Sequence, residues 1–150
     1  MKKHQIINIH SGFTLIELII AVSIVGILAI IAYPNYLKNA QKSQRTAAKT
    51  ALLDLASREA IYYSTNNSYT ATMTTLGYAN NYPASSPTSY VVPNATTPYY
   101  TLTVVLDATD PGYTATATPT GTQAKDQCGS YTINYLGIKT PANTSSLICW

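Results

Sequence analysis

The chain has 150 residues, of which 10% are charged and 13 are tyrosine, and its formal net charge is +3. This length allows one modest domain beside a membrane anchor, and the low charge excludes a highly charged disordered chain. Both histidines, His4 and His10, lie within the first ten residues. Removal of those residues would exclude a Ser/His/Asp catalytic site and histidine metal ligands. The composition therefore indicates a structural or binding protein and not an enzyme, and we expect no cofactor.

A long apolar segment follows a short basic leader. Among the residues from Phe13 to Tyr33, only Thr14, Glu17, Ser23 and Gly26 are not apolar. As a helix the segment would extend roughly 32 Å at about 1.5 Å per residue, enough to span a bilayer. A secretory signal carries its cleavage site after the apolar run and tolerates no acid within it. The segment therefore predicts a retained membrane anchor, with any cut placed before it.

Glu17 is the one acid in this apolar run. A carboxylate inside a membrane helix costs about 2.5 to 3.5 kcal/mol and usually has a cationic partner. No lysine or arginine occurs between Lys3 and Lys38. Cleavage after Gly12 would create a new amino group on Phe13, and we expect this amine, in the same chain or a neighbouring copy, to be the counter-charge. The alternative is a plain single-span anchor that tolerates an acid near the interface.

Residues 12–17, Gly-Phe-Thr-Leu-Ile-Glu, placed between a basic leader and an apolar run, resemble the class III signal of the type IV pilin family, and its IVa branch in particular. The resemblance implies cleavage between Gly12 and Phe13 and N-methylation of Phe13 by a prepilin peptidase. It also implies that Glu17 neutralises the amine of an adjacent pilin subunit. The implied precursor is a single-pass inner-membrane protein, which assembly machinery in that membrane then moves from the lipid bilayer into an extracellular pilus on the bacterial surface.

Helix-forming residues continue beyond the apolar run, from Tyr36 to Tyr63. Gly26 and Pro34 predict a helix kink between the two halves. In the second half, apolar positions recur near helical spacing on one stripe, which predicts an amphipathic helix. These positions are Ala47, Ala48, Ala51, Leu52, Leu55, Ala56 and Ile61. The predicted segments are thus a cleaved leader (1–12), a transmembrane and filament-core helix (13–33) and an amphipathic continuation (34–64) that ends in an asparagine-rich run.

The remainder of the chain predicts a loop and a sheet. Residues 65–98 contain Gly77 and four prolines, and they predict a long connecting loop. Alternation over residues 99–107 and 113–118, separated by a turn at 110–112, predicts a hairpin, and residues 130–135 predict a third strand. Residues 99–150 would therefore form the sheet and a C-terminal disulfide loop. The resemblance implies an α+β pilin fold, with the long N-terminal helix packed on a three- to four-stranded antiparallel sheet.

Two cysteines, Cys128 and Cys149, lie near the C-terminus without a nearby histidine, so a zinc site would lack ligands. A disulfide between them is the preferred interpretation, and unpaired thiols in a reducing compartment are the alternative. Closing a loop of about 22 residues would stabilise the fold by roughly 3 kcal/mol in the chain-entropy model. We expect no metal site, because Asp107, Asp110 and Asp126 lack the spacing of an EF-hand loop.

The sequence is compatible with three functions. The first is a structural subunit of a type IV pilus, a minor rather than a major pilin, with twitching motility, adhesion and DNA uptake as roles. The second is a competence pilin that contacts DNA through Lys125, Lys139 and neighbouring tyrosines. The third is a type II secretion pseudopilin, against which the cysteine pair argues. Four cations lie between Lys38 and Lys49, where they form either a solvated juxtamembrane face or a phosphate site.

Overall fold

The computed structural model describes residues 13–78, 87–93, 95–108, 111–141 and 148–150. The chain divides into two compact units with the boundary after Asn39. Helix α1, Leu15–Asn66, belongs to both units and is α-helical throughout, including at Gly26 and Pro34. The kink at these two residues stays a prediction.

In the first unit, the apolar side chains of α1 are exposed, for example Leu15 at 75% and Ile31 at 63%. This part of α1 is long and apolar enough to cross a membrane. Since such a surface is unfavourable in water, it requires lipid or another apolar surface as its surroundings.

In the second unit, α1 buries one stripe. The buried positions, Ala48, Leu52, Leu55 and Glu59, follow the spacing of a helical face. Ile61 was predicted to lie on this stripe, and that was wrong, because its side chain is 65% exposed. Six residues beyond Leu55 correspond to about 240° of rotation at 3.6 residues per turn, which carries Ile61 to another face. The helix ends at Asn66, and Asn67 adopts a left-handed conformation with φ of 52°.

Over the described residues, the sheet has five antiparallel strands in the order β1-β2-β3-β4-β5. The strands are β1 Ser89–Val92, β2 Tyr100–Leu106, β3 Tyr113–Pro119, β4 Tyr131–Asn134 and β5 Lys139–Thr140, and a short 3-10 helix, η1 Gly121–Lys125, joins β3 to β4. The prediction of three or four strands was therefore too low. Strand β1 lies inside the predicted connecting loop, between Pro87 and Pro93, and prolines are tolerated beside a short edge strand.

The alternation of the strands sets the core. Tyr100, Leu102 and Val104 of β2 are buried, and so are Ala115 and Ala117 of β3. Together with the helical stripe these side chains form one cluster between α1 and the sheet. The opposite face of the sheet carries alternating threonines, which is the pattern of a half-buried antiparallel sheet.

A disulfide joins Cys128 to Cys149. The C-terminal Trp150 packs edge-on against Tyr131 with ring centroids 5.7 Å apart, and its Nε1 donates a hydrogen bond to the Thr140 carbonyl at 2.5 Å. The last residues are thereby fastened to β4 and β5. The helix, the antiparallel sheet and the C-terminal disulfide confirm the predicted α+β fold.

Candidate nucleic-acid interface

The start of α1 holds Glu17 in reciprocal contact with Thr14. The backbone N and Oγ1 of Thr14 both donate to Glu17 Oε2 at 3.2 Å, and the Glu17 backbone N donates to Thr14 Oγ1 at 3.3 Å. This is a capping box, Thr-x-x-Glu, which satisfies free N–H groups at a helix N-terminus. The end of the helix dipole also favours a negative charge at this position. The carboxylate of Glu17 therefore has partners within its own chain.

Gly12 lies outside the described residues, so the cleavage between Gly12 and Phe13 and the methylation of Phe13 stay predictions. The pairing of Glu17 with an amine of another subunit also stays a prediction. The capping box was missed at the sequence level, although Thr14-Leu-Ile-Glu17 carries its signature.

Four lysines of the second unit come from three different elements. Lys42 and Lys49 lie on α1, Lys125 lies at the end of η1, and Lys139 begins β5. Within the ranges that the structure describes, the ion pairs are those of Arg45 and Arg58, and none of these four lysines has a carboxylate partner. We call Lys42, Lys49, Lys125 and Lys139 the lysine surface.

Arg45 lies between the two helical lysines and is already paired. Its Nε donates to Asp126 Oδ2 at 2.8 Å, and its Nη2 donates to Asp126 Oδ1, so the ion pair is bidentate. The Asp126 side chain is fully buried and the Arg45 side chain is 16% exposed. The hydrogen bond to Asp126 raises the pKa of Arg45 against the opposing effect of burial. Arg45 therefore holds a carboxylate of its own chain, whereas among the described residues the four lysines do not.

Gln123 adds a second contact between η1 and the helix. Its side chain is fully buried, and its Nε2 donates to the Tyr100 hydroxyl and to Asp126 Oδ2, both at 2.9 Å, and to the Gln41 carbonyl at 3.3 Å. Within the part of the chain that the structure describes, Gln123 Oε1 and the Tyr131 hydroxyl are buried without a hydrogen-bond partner. Buried polar atoms of this kind commonly bind an ordered water.

Aromatic rings connect Lys49 of the helix to the C-terminus. Lys49 Nζ lies 5.9 Å from the Tyr131 ring centroid, and Lys139 Nζ lies 5.2 Å from the Trp150 ring centroid. Both distances allow a cation–π contact. Burial, followed by repulsion from Arg45 and Lys42, lowers the pKa of Lys49. Since this repulsion means that the helical cations are close together, an anion placed beside them would relieve it.

The structure places the predicted DNA-contact residues and the considered calcium ligands in different surroundings. Lys125 and Lys139, which were predicted to contact DNA, belong to the lysine surface, and Lys42 and Lys49 join them from the helix. Asp126, considered as a calcium ligand, instead gives both carboxylate oxygens to Arg45 and Gln123. Asp110 lies outside the described residues. The pairing of Arg45 was not visible in the sequence, because Asp126 follows it by 81 positions.

The fold and the exposed apolar start of α1 together define a class, that of pilin-like proteins with an N-terminal helix and an antiparallel sheet. Residues 34–132 match the family described as type IV minor pilin ComP, DNA uptake sequence receptor, and residues 7–33 match the prokaryotic N-terminal methylation motif. The chain belongs to this type IV minor pilin family. The predicted family resemblance is confirmed.

The similar curated proteins match about half of this chain or less. The type IV major pilin protein PilA of Myxococcus xanthus is 43% identical over 68 residues, which are 45% of this chain and 31% of that protein. The type II secretion system core protein G of Aeromonas hydrophila is 34% identical over 77 residues, 51% of this chain and 54% of that protein. This chain therefore spans about a third to a half of the length of the curated relatives that it matches.

Among solved structures, a type IV pilin from Shewanella oneidensis matches with a TM-score of 0.52 and 25% sequence identity. The match covers 73% of this chain and 97% of that one. The matched part is longer than α1, which has 52 residues, so the similarity extends beyond the helix.

Proposed function

We propose that this chain is a minor subunit of a type IV pilus and that it binds DNA through the lysine surface. The observation that carries the proposal is a set of four lysines on α1, η1 and β5 that, among the described residues, have no carboxylate partner. The contacts of Lys49 with Tyr131, of Tyr131 with Trp150 and of Trp150 with Lys139 link α1 to β5. Three of them, Lys42, Lys49 and Lys125, lie inside the region that matches the family of a DNA uptake sequence receptor. The fold supports the role of a pilus subunit, and the lysine surface supports the binding of DNA.

The chemistry of the surface suits a polyanion. Duplex DNA carries one negative charge per about 1.7 Å of helix axis, so several phosphates lie within reach of lysines on neighbouring elements. Each lysine that neutralises a phosphate releases condensed counterions, which makes the affinity depend on salt. Phosphate contacts orient the protein on DNA without reading the sequence. The lysine surface therefore accounts for binding and does not by itself account for sequence preference.

The test uses the full mature chain in detergent micelles and a fluorescently labelled DNA duplex. Anisotropy titrations at several salt concentrations should give a logarithmic salt dependence with a slope of about −3.6, since four phosphate contacts contribute about −0.9 each. Replacing the four lysines with glutamine should abolish most of this dependence. Arg58→Gln is the matched control, because Arg58 is paired with Asp54 outside this surface and its loss should leave the slope unchanged. Absence of salt-dependent binding by the wild-type chain would refute DNA binding.

We further propose that a prepilin peptidase cleaves between Gly12 and Phe13 and methylates Phe13. The segment beginning at Phe13 would hold the precursor in the inner membrane until assembly machinery passes it to other pilin subunits in the filament. The match to the N-terminal methylation motif and the exposed apolar helix support this route. Mass spectrometry of purified filaments should find a chain that begins with methylated Phe13. A functional filament subunit that keeps residues 1–12 would contradict the proposal.

A type II secretion pseudopilin is the second candidate, because the core protein G of that system is among the similar proteins. The similarity covers about half of the chain. The disulfide Cys128–Cys149 and the family match over residues 34–132 favour the pilus subunit. Detection of the chain in purified pili, and not in a secretion complex, would decide between the two.

A further inference from the structure

Arg45 lies between Lys42 and Lys49 on α1, yet its charge is already committed to a partner within the chain. Its guanidinium holds both oxygens of Asp126, and only 16% of its side chain is exposed. Moving it toward a phosphate would leave the fully buried carboxylate of Asp126 without its cation, and a buried unpaired charge is strongly unfavourable. Arg45 is therefore poorly placed to contact DNA directly.

The segment that carries Lys125 is fastened to the helix on both sides of this lysine. Gln123 Nε2 donates to the Gln41 carbonyl at 3.3 Å, and Asp126 pairs with Arg45. The Asp126 backbone N donates to the Gln123 carbonyl at 2.9 Å, which closes the turn around Lys125. The position of this lysine relative to α1 thus depends on contacts made by its two neighbours.

We propose that Arg45 is a positioning residue for DNA binding, which acts through Asp126 to hold Lys125 in register with Lys42 and Lys49. The inference rests on the DNA binding proposed above and assigns to Arg45 a role other than phosphate contact. Preorganised charges bind a rigid polyanion better than mobile ones, because less conformational entropy is lost on binding.

Two alternatives make different predictions. If Arg45 left Asp126 and contacted a phosphate, Arg45→Gln would lower the magnitude of the salt slope by about 0.9 even in a chain that lacks Lys125. If Asp126 only masked Arg45, Asp126→Asn would release a cation, and DNA binding would become tighter and more salt-dependent. Under our proposal Asp126→Asn instead weakens binding, as Arg45→Gln does.

The experiment is a double-mutant cycle on the full mature chain in detergent, with anisotropy on the same labelled duplex. We expect Lys125→Gln to weaken binding about tenfold, the size of one charge-assisted contact. Arg45→Gln should weaken it by up to the same factor, and the double variant should bind no more weakly than Lys125→Gln alone. The matched control is Lys139→Gln, whose lysine lies on β5, and its effect should be additive with that of Arg45→Gln.

Circular dichroism spectra should show that each variant is folded like the wild-type chain. Arg45→Lys keeps the ion pair as a point charge but loses its bidentate geometry, so it offers a milder form of the same test. Its smaller loss of affinity should also disappear in the Lys125→Gln background. Additive effects of Arg45→Gln and Lys125→Gln, or tighter binding by Asp126→Asn, would overturn this inference and leave the proposed DNA binding intact. Absence of DNA binding by the wild-type chain would overturn both.

Discussion

Replacing Glu59 with glutamine should stabilise the second unit at neutral and alkaline pH. The side chain of Glu59 is fully buried, and its Oε2 accepts a hydrogen bond from the Thr70 backbone N at 3.2 Å. Among the described residues, its Oε1 has no hydrogen-bond partner. Burial raises the pKa of Glu59 above the ordinary value of 4.5, against the lowering effect of the Thr70 hydrogen bond. The folded state therefore binds the proton more tightly than the unfolded state does.

The sign of the pH dependence follows from this shift. Below the ordinary pKa, Glu59 is protonated in both states and its ionisation costs nothing. As pH rises through the raised pKa of the folded state, the buried carboxyl loses its proton and the folded state loses stability. Nearby tyrosines do not titrate in this window, because burial raises the pKa of Tyr113 to about 12 and raises that of Tyr69 as well. The stability contributed by Glu59 is thus present below the ordinary pKa and is lost as pH rises through the raised pKa of the folded state.

The expected gain comes from removing the ionisation of a buried acid. Glutamine keeps the acceptor for Thr70 and removes the charge, while its Nε2 takes the unpaired place of Oε1, so at pH 8 Glu59→Gln should gain about 1.4 kcal/mol for every tenfold by which the folded state binds the proton more tightly. For a domain of this size, 1 kcal/mol corresponds to a Tm change of about 4–8 °C. At pH 4 the two proteins should be nearly equal. The assay is thermal unfolding of the wild-type chain and the variant in detergent across this pH range.

Asp54 provides a control of opposite sign. Burial alone would raise its pKa, but hydrogen bonds from Tyr78 and Arg58 outweigh burial and lower it. Its contribution to stability is present above the ordinary pKa and is lost as pH falls through the lowered value. Asp54→Asn should therefore not stabilise the domain at pH 8. A stability difference between wild type and Glu59→Gln that does not grow from pH 4 to pH 8 would refute the reasoning about Glu59.

Three further predictions concern assembly, the hairpin and the disulfide. Glu17→Gln keeps an acceptor for the Thr14 cap but loses the charge. We expect its incorporation into sheared pili to fall, because the charge pairing is lost. Normal incorporation would show that the capping role of Glu17 is sufficient. Gly112→Ala would place a Cβ about 2.6 Å from the Tyr135 ring, and urea unfolding should show a loss of about 1–3 kcal/mol. Cys149→Ser should lower stability by roughly 3 kcal/mol, and an unchanged urea midpoint would contradict this.

The parts of the fold that follow a simple period were visible in the sequence. Alternation placed Tyr100, Leu102 and Val104 on the buried face of β2, because a strand surface has a period of two. The burial of Glu59 was not predicted, because the buried face of α1 was assigned from apolar residues alone. That assignment left out the acid and included Ile61 instead. Strand β1 was hidden by the flanking prolines, since its pairing with β2 is a tertiary contact that local composition does not reveal.

The candidate site was only partly visible, for a different reason. Lys125 and Lys139 were found as cations near tyrosines, but the contribution of Lys42 and Lys49 depends on how α1 packs on β4. The contact of Lys49 with the Tyr131 ring supplies this link. A pairing across 81 positions, such as that of Arg45 with Asp126, is set by the topology of the sheet and has no local signal.

Net charge is a poor guide to this surface. Without residues 1–12 the chain has seven cations and six acids, a difference of only +1. The acids are, however, distributed unevenly among the described residues: Asp54 pairs with Arg58, Glu59 is buried, and Asp126 neutralises Arg45 alone. Each of these acids is therefore committed to the interior or to an arginine, and the four lysines keep their charge. A nearly neutral chain can in this way present a local surface for a polyanion, because attraction at close range depends on unpaired charges and not on their sum.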